Sequence, residues 1–197
     1  MARMNNSRHV DRRVQKTRDL LISSLMSLIG EKPYDLIAIK EILHHANVGR
    51  STFYMHFRDK DDLLRSGIHS ILGSAPLTAG SNGKLERFVW FSLPIFQHHA
   101  RNARGWVSNI GIHGRTVLHE HLRHALVEAI VLNVEGIFHS GTMKSRKVPP
   151  DLLANHVACT FVMVLDWWLD EQMSLPPDEV NRLFLWLVEP PLKGFTE

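Results

Sequence analysis

Hydrophobic residues recur at helical spacing along most of the chain, and no segment shows the alternation that is typical of a half-buried strand. Apolar positions at i, i+3, i+4 and i+7 mark one face of an α-helix, and glycine or proline interrupts the pattern between helices. The longer predicted helices cover residues 11–29, 59–72, 84–100, 115–138, 151–173 and 178–188. Together with shorter segments between them, the pattern predicts an all-α fold of about nine helices.

The most informative pattern lies in residues 39–60, which predict two short helices joined by a tight turn. Ile39, Ile42 and Leu43 share one apolar side of the first helix. Asn47 follows this helix, and asparagine is the non-glycine residue that best tolerates a left-handed backbone. We therefore expect Asn47 to end the first helix and to turn the chain.

The second short helix has an apolar inner side and a polar outer side. Its inner side is formed by Val48, Phe53 and Phe57. The outer side carries a cation, two hydroxyls, a thioether and an imidazole, on Arg50, Ser51, Tyr54, Met55 and His56. Such groups suit the hydrogen-bonding edges and phosphates of DNA better than a protein core. The segment therefore predicts a helix-turn-helix whose second helix enters the major groove.

A change in composition divides the chain. Residues 72–83 are rich in glycine, serine, proline and asparagine, and they predict a linker. It separates a DNA-binding domain at 11–71, with its helix-turn-helix at about 34–53, from a regulatory and dimerisation domain at 84–197. Residues 1–65 carry 12 lysines and arginines against 8 acidic residues, whereas the remainder carries 11 against 12. The excess positive charge thus lies with the motif, as phosphate binding requires.

The closing helices predict a subunit interface. Residues 157–169 are apolar on nearly all sides, and such a helix must be buried on more than one side. One small domain has limited capacity to enclose two helices of this kind, so we expect them to pack against a second copy of the chain. The predicted interface residues are Phe161, Val164, Leu165, Trp168, Leu183, Phe184 and Leu187.

An aromatic set in the larger domain has two interpretations. Such rings are more often core, but rings combined with a few polar groups also line drug-sized cavities. The second interpretation is the hypothesis that a small, fairly apolar effector binds here. Its predicted contacts are Phe88, Phe91, Trp106, Asn109, Ile110, His113, Phe161, Asp166 and Trp167.

Several histidines raise the alternative of a metal site. They are His98, His99, His113, His119, His121 and His124. His119-Glu120 begins like a zinc protease motif, but position 123 is an arginine where the motif needs a second histidine. We therefore predict no metal and no cofactor. No nucleophile elbow, phosphate loop or dinucleotide fingerprint is found, so no enzyme is predicted.

The single cysteine, Cys159, excludes an intramolecular disulfide and is expected to be a buried, inert thiol. The sequence shows no secretory signal, and no apolar run that we expect to span a bilayer. We therefore expect a cytoplasmic location and no membrane partner.

The run IKEILHHANVGRSTFYMHFRDKDDLL resembles the DNA-binding head of the Tet-repressor (TetR) family. The resemblance implies a three-helix head, a fourth helix that joins it to a dimeric, ligand-responsive body, and a palindromic double-stranded DNA operator. It implies base contacts by Arg50, Ser51 and Met55. Its remaining implied DNA contacts, mainly to phosphates, come from Lys40, Thr52, Tyr54, His56 and Lys60.

Three residues depart from the family pattern. Ala38 stands where threonine or serine is frequent, which removes a helix cap and a phosphate contact. Asn47 stands where glycine is usual, and Gly49 takes the usual serine or threonine capping place before the recognition helix. None of these residues is incompatible with the motif.

These features predict a sequence-specific DNA-binding transcriptional regulator, acting as a homodimer and as an effector-responsive repressor. Two alternatives stay open at this point. One is a transcriptional activator of the same fold, and the other is a small-molecule- or metal-binding helical protein without operator function.

Overall fold

The computed structural model describes residues 3–74, 86–102, 111–139 and 148–196, with the side chains of residues 12–73, 86–101, 114–134 and 148–193. Within these residues the chain is helical and contains no strand, which confirms the predicted all-α class. One 3-10 turn lies at Tyr34–Leu36. The α-helices of the described residues are α1 (Arg3–Glu31), α2 (Ile39–Ala46), α3 (Arg50–His56), α4 (Lys60–Ser74), α5 (Glu86–Val89), α6 (Ser92–Asn102), α7 (Gly111–His139), α8 (Pro150–Asp170) and α9 (Pro177–Thr196).

Two helices in the first half are longer than the pattern predicted. α1 begins at Arg3 rather than Asp11, and α4 continues to Ser74. No proline interrupts either extension, and adding a residue to an existing helix costs far less than nucleating one. The first three residues of the predicted linker are therefore helical, and the rest of it lies outside the described residues.

The last helix, α9, passes its predicted end at Val188 and runs through Pro190 and Pro191. Proline usually ends or kinks a helix because it lacks the backbone N–H. The buried stripe of α9 repeats every four residues and has no exposed surface, at Val180, Phe184, Val188 and Leu192. Burial of Leu192 thus favours the turn beyond the prolines.

The predicted helix at residues 84–100 is divided into α5 and α6. The chain turns at Trp90–Phe91, and Pro94 lies in the first turn of α6, where its missing N–H has no intrahelical acceptor. The buried hydroxyl of Ser92 lies 2.7 Å from the Asn181 side-chain oxygen of α9. This hydrogen bond ties the start of α6 to α9.

The chain forms two compact units. The first extends to Gly67 and includes the start of α7 up to Val117, and the second contains α5, α6, α8, α9 and the remainders of α4 and α7. The core of the first unit is contributed by α1 to α4 and includes Leu21, Leu25, Ile29, Ile42, Phe53, Phe57, Leu63 and Leu64. Each unit therefore has its own hydrophobic core.

α8 is long and apolar enough to cross a bilayer by length and composition, whereas the sequence was expected to contain no such run. Half of its most apolar window is buried inside the protein. Its buried side chains include Val157, Phe161 and Leu165. The core helix of a globular body has these same properties, so length and composition do not by themselves indicate a membrane span.

Gly67 lies at a close approach of α4 to α1. A methyl group on its Cα would lie 2.9 Å from Met26 Cε and 3.2 Å from Ile22 Cγ2. Gly73, in the same helix, has no such neighbour within 4 Å. The same substitution at these two glycines therefore separates the effect of packing from the effect of helix propensity.

Gly67→Val is expected to lower the free energy of unfolding by about 1–3 kcal/mol, because the added methyl groups overpack the contact between α1 and α4. Gly73→Val, the matched control, is expected to change it by less than about 0.5 kcal/mol. Urea unfolding followed by circular dichroism measures both values. Equal effects of the two substitutions would contradict the packing explanation.

Candidate nucleic-acid interface

The first helix of the motif, α2, begins at Ala38 without a side-chain cap. Glu41 compensates, because its carboxylate accepts the Ala38 backbone N–H at 2.8 Å and forms an ion pair with Lys32. The hydrogen bond from Lys32, followed by that from Ala38, holds the pKa of Glu41 below its ordinary value. The Glu41 carboxylate thus makes the reciprocal half of a capping box, and the Glu41 N–H, which a hydroxyl at position 38 would accept, donates to the Ala38 carbonyl at 3.0 Å instead.

The turn of the motif has the geometry that its sequence predicted. Asn47 adopts the left-handed conformation, with φ 51° and ψ 47°, and its N–H donates to the His44 carbonyl at 3.2 Å. The N–H of Val48 donates to the Leu43 carbonyl at 3.0 Å, which satisfies another carbonyl at the end of α2. The prediction that Asn47 ends the helix and turns the chain is confirmed.

The second helix of the motif, α3, spans seven residues and has two distinct sides. Gly49 caps its N-terminus in extended conformation, and the Gly49 carbonyl accepts the N–H of Phe53 at 3.1 Å. Phe53 is fully buried and Phe57 is 2% exposed, whereas Met55 is 73% exposed. The predicted division into an apolar inner side and a polar outer side is confirmed.

Two outer residues of α3 contact each other. The Arg50 guanidinium carbon lies 5.6 Å from the centroid of the Tyr54 ring, within cation–π distance. The Tyr54 ring in turn meets the buried Phe53 ring edge-on, with centroids 5.2 Å apart. A buried aromatic residue thereby orients Tyr54, and Tyr54 restricts Arg50 at the first position of the helix.

The Lys60 side chain, at the start of α4, already has hydrogen-bond partners within the protein. Its ammonium donates to the carbonyls of Tyr34 at 2.6 Å and Ile37 at 3.1 Å, and it lies 4.0 Å from the Tyr34 ring centroid. Burial lowers the pKa of Lys60 below its ordinary value. Two of its three N–H donors are thus used to join α4 to the segment before α2, and one remains for an outside acceptor.

Tyr34 reinforces the same junction. Its hydroxyl donates to the Asp61 carboxylate, and the ring is 2% exposed. Burial, followed by the hydrogen bond with Asp61, raises the pKa of Tyr34 above its ordinary value. The junction between the 3-10 turn and α4 therefore consists of Tyr34, Lys60 and Asp61.

Two aspartate carboxylates accept backbone N–H groups at the connection between α3 and α4. Asp59 Oδ1 accepts the N–H of Asp62 at 2.7 Å, and Asp62 Oδ2 accepts the N–H of Arg58 at 3.0 Å. Asp62 also forms an ion pair with Arg65. The Arg58 side chain is 79% exposed, so it adds an accessible cation directly after α3. Sequence reasoning missed Arg58, although its place beside the motif was a usable signal.

The predicted DNA contacts thus fall into two groups. The side chains that are exposed on α2 and α3 are Lys40, Arg50, Ser51, Tyr54 and Met55. Those that are half-buried are Thr52, His56 and Lys60. α3 brings six of the eight onto one short helix, and Lys40 and Lys60 lie on the helices before and after it.

The predicted effector contacts in the second unit are mostly packed against one another. Phe88, Phe91 and Phe161 have no exposed surface, and the Phe91 and Phe161 rings meet edge-on at 5.0 Å. Phe161 also lies 5.0 Å from Phe96 and 5.3 Å from Phe184. These rings form an aromatic core, which favours the first of the two interpretations for them.

The other predicted effector contacts are more accessible or are not described. Trp167 is 42% exposed, and an Asp166 carboxylate oxygen lies 3.7 Å from His119 Nε2. Trp106, Asn109, Ile110 and the side chain of His113 lie outside the described residues.

The histidines show no metal site in the part of the chain that the structure describes, where no three His, Cys, Asp or Glu side chains form a metal-binding group. Burial, with the neighbouring imidazoles of His98 and His119, lowers the pKa of His99 to about 4. His99 is therefore neutral at physiological pH.

The predicted subunit interface needs correction. Five of its residues have their side chains buried inside the chain, so they are not available to a partner: Phe161, Val164, Leu165, Trp168 and Phe184. When a helix is apolar all round, its sequence does not indicate which side faces the core of its own chain. Leu183 and Leu187 are 38% and 47% exposed, and beside them Trp186 is 75% exposed.

Of the predicted interface residues, Leu183 and Leu187 belong to the accessible apolar surface on α8 and α9. On α8, Met163 is 56% exposed, and Cys159 is also exposed rather than buried as expected. On α9, a groove of about 560 Å³ is lined by Leu175, Glu179, Arg182, Leu183, Leu185, Trp186 and Glu189. We call Met163, Trp167, Leu183, Trp186 and Leu187 the exposed apolar face.

Comparison with known sequences agrees with the geometry of the motif. Residues 21–66, which contain α2 and α3, match the family described as bacterial regulatory proteins, tetR family. An HTH-type transcriptional regulator of Bacillus subtilis (strain 168), YxbF, is 25% identical over 183 residues. The match covers 90% of this chain and 46% of that protein, so the chain spans about half the length of this curated relative.

Solved structures have the same fold at low identity. A TetR-family transcriptional regulator from Syntrophomonas wolfei superposes with a TM-score of 0.65 at 20% identity, over 89% of this chain and 94% of the other. NalD of Pseudomonas aeruginosa, the secondary repressor of the MexAB-OprM multidrug efflux pump, gives a TM-score of 0.60 at 18% identity, over 93% and 98%. The match to the tetR family of bacterial regulatory proteins thus covers residues 21–66, the part of the chain that is built around the helix-turn-helix.

Proposed function

We propose that the chain is a sequence-specific DNA-binding transcriptional regulator that acts as a homodimer. The observation that carries the proposal is the division of α3, which buries Phe53 and Phe57 and exposes Arg50, Ser51 and Met55. A guanidinium reads guanine edges, a hydroxyl reads either edge, and an apolar group contacts a thymine methyl. The exposed side of α3 therefore carries three kinds of groups that distinguish bases.

Phosphate contacts would hold α3 in the groove. Lys40 is exposed beside the start of α2, Arg58 is exposed after α3, and Lys60 retains one N–H donor. The excess of positive charge in residues 1–65 is only four, so one head binds DNA weakly. Two heads in a homodimer would contact successive major grooves roughly 34–36 Å apart and would gain affinity from this pairing.

The regulatory part of the proposal concerns the second unit. The second unit contains both the Asp166–His119 pair and the aromatic core, and polar and apolar groups of these kinds occur together in sites for small effectors. An effector would act through a difference in affinity between DNA-competent and DNA-incompetent states. Repression is the proposed outcome, as in NalD, and a cytoplasmic location is the proposed compartment.

A gel-shift titration of the full-length chain with the DNA upstream of its own gene tests the proposal. The expected result is a shift that an unlabelled copy of the fragment abolishes, that random DNA of equal length does not abolish, and that weakens steeply with salt. A protein that only binds small molecules or metals would give no sequence-specific shift, and this result would contradict the proposal. Reporter expression from the bound fragment then distinguishes repression from activation.

Arg50→Ala is expected to weaken binding to the specific fragment by about 1–3 kcal/mol and to leave binding to random DNA nearly unchanged, because Arg50 contacts a base edge in the proposed complex. Lys40→Ala, the contrasting variant, should weaken both complexes by a similar factor and reduce the salt slope by about one. Titrations at several salt concentrations measure these effects. An equal loss on both DNAs in the Arg50 variant would exclude base readout by Arg50.

A further inference from the structure

Arg18 is a cation placed within the apolar side of α1. The neighbouring positions on this side, Leu21 and Leu25, have no exposed surface, and Arg18 itself is half-buried. A guanidinium in such a position requires partners that compensate its lost hydration. Those partners come from the recognition helix α3 and from α4.

The guanidinium of Arg18 makes two contacts at the end of α3 and one with α4. Nη1 lies 3.5 Å from the His56 carbonyl oxygen, and Nη2 lies 3.4 Å from Ser66 Oγ in α4. The guanidinium carbon lies 4.7 Å from the centroid of the Phe57 ring, so the cation also packs on an aromatic face. One planar group therefore connects α1, the last residue of α3, and α4.

α3 needs support of this kind. It has only seven residues, so few of its peptide groups are paired within the helix, and so short a helix is not stable alone. Its last carbonyls carry partial negative charge, which a cation stabilises. At its C-terminal end, Phe57 donates its N–H to the Phe53 carbonyl at 2.9 Å, and Arg18 supplies the donor for the His56 carbonyl.

We propose that Arg18 is a positioning residue for base recognition: its guanidinium fixes the C-terminal end of α3 against α1 and α4 without touching DNA. The inference rests on the proposed function, since it concerns how α3 reads bases. Phe53 and Phe57 hold the inner side of α3 by non-directional packing. The two hydrogen bonds of Arg18 and its position over the Phe57 ring add the directional constraint.

Base readout and phosphate binding differ in their tolerance of a tilted helix. Bidentate contacts to base edges require nearly fixed positions of the side chains, whereas flexible cations on phosphates follow small movements of the backbone. Loss of the Arg18 contacts therefore lowers specific affinity more than nonspecific affinity. A lysine at position 18 retains the charge but cannot serve the two acceptors and the Phe57 face with one planar group.

The experiment compares the full-length chain with Arg18→Met, Arg18→Lys and the control Arg12→Met, which removes an exposed arginine from the same helix. A specific duplex is selected by the wild-type chain from a pool with a randomised 20-base-pair segment, and a random duplex of equal length is the reference. For Arg18→Met we expect about a tenfold loss on the specific duplex, which corresponds to the loss of one hydrogen bond to a charged group. Random-DNA affinity and the salt slope should stay unchanged, and Arg18→Lys should lie between wild type and Arg18→Met.

Hydrogen exchange of the amides in residues 50–57 gives a second readout that does not depend on DNA. These amides should exchange faster in Arg18→Met than in wild type or Arg12→Met, while those of residues 21–29 stay unchanged. If Arg18→Met does not fold, the ratio of specific to random affinity in Arg18→Lys decides the question.

Three results would overturn the inference. They are an equal loss on both duplexes, a salt slope reduced by about one, which would make Arg18 a phosphate contact, and unchanged exchange of residues 50–57. If the wild-type chain selects no duplex, the proposed function fails, and the exchange measurement alone still decides whether Arg18 fixes α3.

Discussion

Phe161→Ala is expected to lower the free energy of unfolding by about 3–5 kcal/mol, the largest effect of any substitution considered for stability. The Phe161 ring has no exposed surface and lies within 5.0–5.3 Å of three other rings, those of Phe91, Phe96 and Phe184. Removing it deletes buried apolar surface and leaves a cavity that α6, α8 and α9 cannot all collapse to fill. Urea unfolding at fixed protein concentration measures the change.

Leu132→Ala serves as the control for Phe161→Ala, because Leu132 is 72% exposed on α7. It is expected to change the free energy of unfolding by less than about 0.5 kcal/mol. If Phe161 instead lined an open effector cavity, its removal would enlarge an existing space and the loss would be far smaller. A loss of Phe161→Ala similar to that of the control would therefore contradict the aromatic-core interpretation.

The double substitution Trp186→Arg and Leu187→Arg is expected to raise the dissociation constant of the proposed homodimer at least about 100-fold. Trp186 is 75% exposed and Leu187 is 47% exposed, and both belong to the exposed apolar face of α8 and α9. Large aromatic residues in the centre of an interface contribute most of the binding energy, and paired arginines add like-charge repulsion across a two-fold axis. Sedimentation velocity over a series of concentrations measures the constant.

Leu132→Arg is the control for this pair, since it places an arginine on an exposed leucine of α7. It should leave the dimer intact. The double variant should also lose most of its operator affinity, because its two heads no longer bind as one unit. A double variant that stays dimeric at low micromolar concentration would exclude Trp186 and Leu187 from the interface.

The helix-turn-helix could be predicted well because its determinants are local. The left-handed backbone of Asn47 and the buried inner side formed by Phe53 and Phe57 follow from residue chemistry and from spacing within about ten residues. Both were confirmed. Local signals of this kind do not depend on where the remainder of the chain lies.

Contacts between distant residues could not be predicted from spacing. The bond from Arg18 to the His56 carbonyl joins residues 38 positions apart, and that from Lys60 to the Tyr34 carbonyl joins residues 26 apart. The spacing of apolar residues in α1 gives no indication that Arg18 has a partner at the end of α3. The family resemblance implied a phosphate contact for Lys60, and its second role at the α4 junction became visible only with the backbone carbonyls in place.

The predicted subunit interface shows a second limit of prediction from sequence. α8 is apolar on most sides, and hydrophobicity alone does not distinguish Phe161, which faces the core, from Met163, which is exposed. The choice depends on which neighbouring helices cover α8. The same limit explains Cys159, whose apolar surroundings in sequence indicated burial, whereas the thiol lies on the exposed side of the helix.

The distribution of indole rings gives the chain an intrinsic optical reporter. Four of the five tryptophans, Trp90, Trp167, Trp168 and Trp186, belong to the second unit, so unfolding of the DNA-binding head alone should leave their fluorescence unchanged. Trp168 is 1% exposed against the Phe96 ring, whereas Trp186 is 75% exposed. Emission from Trp168 therefore reports melting of the second unit, and a shift of Trp186 to shorter wavelength would report the proposed association of two chains. One spectrum can thus separate the two events without a label.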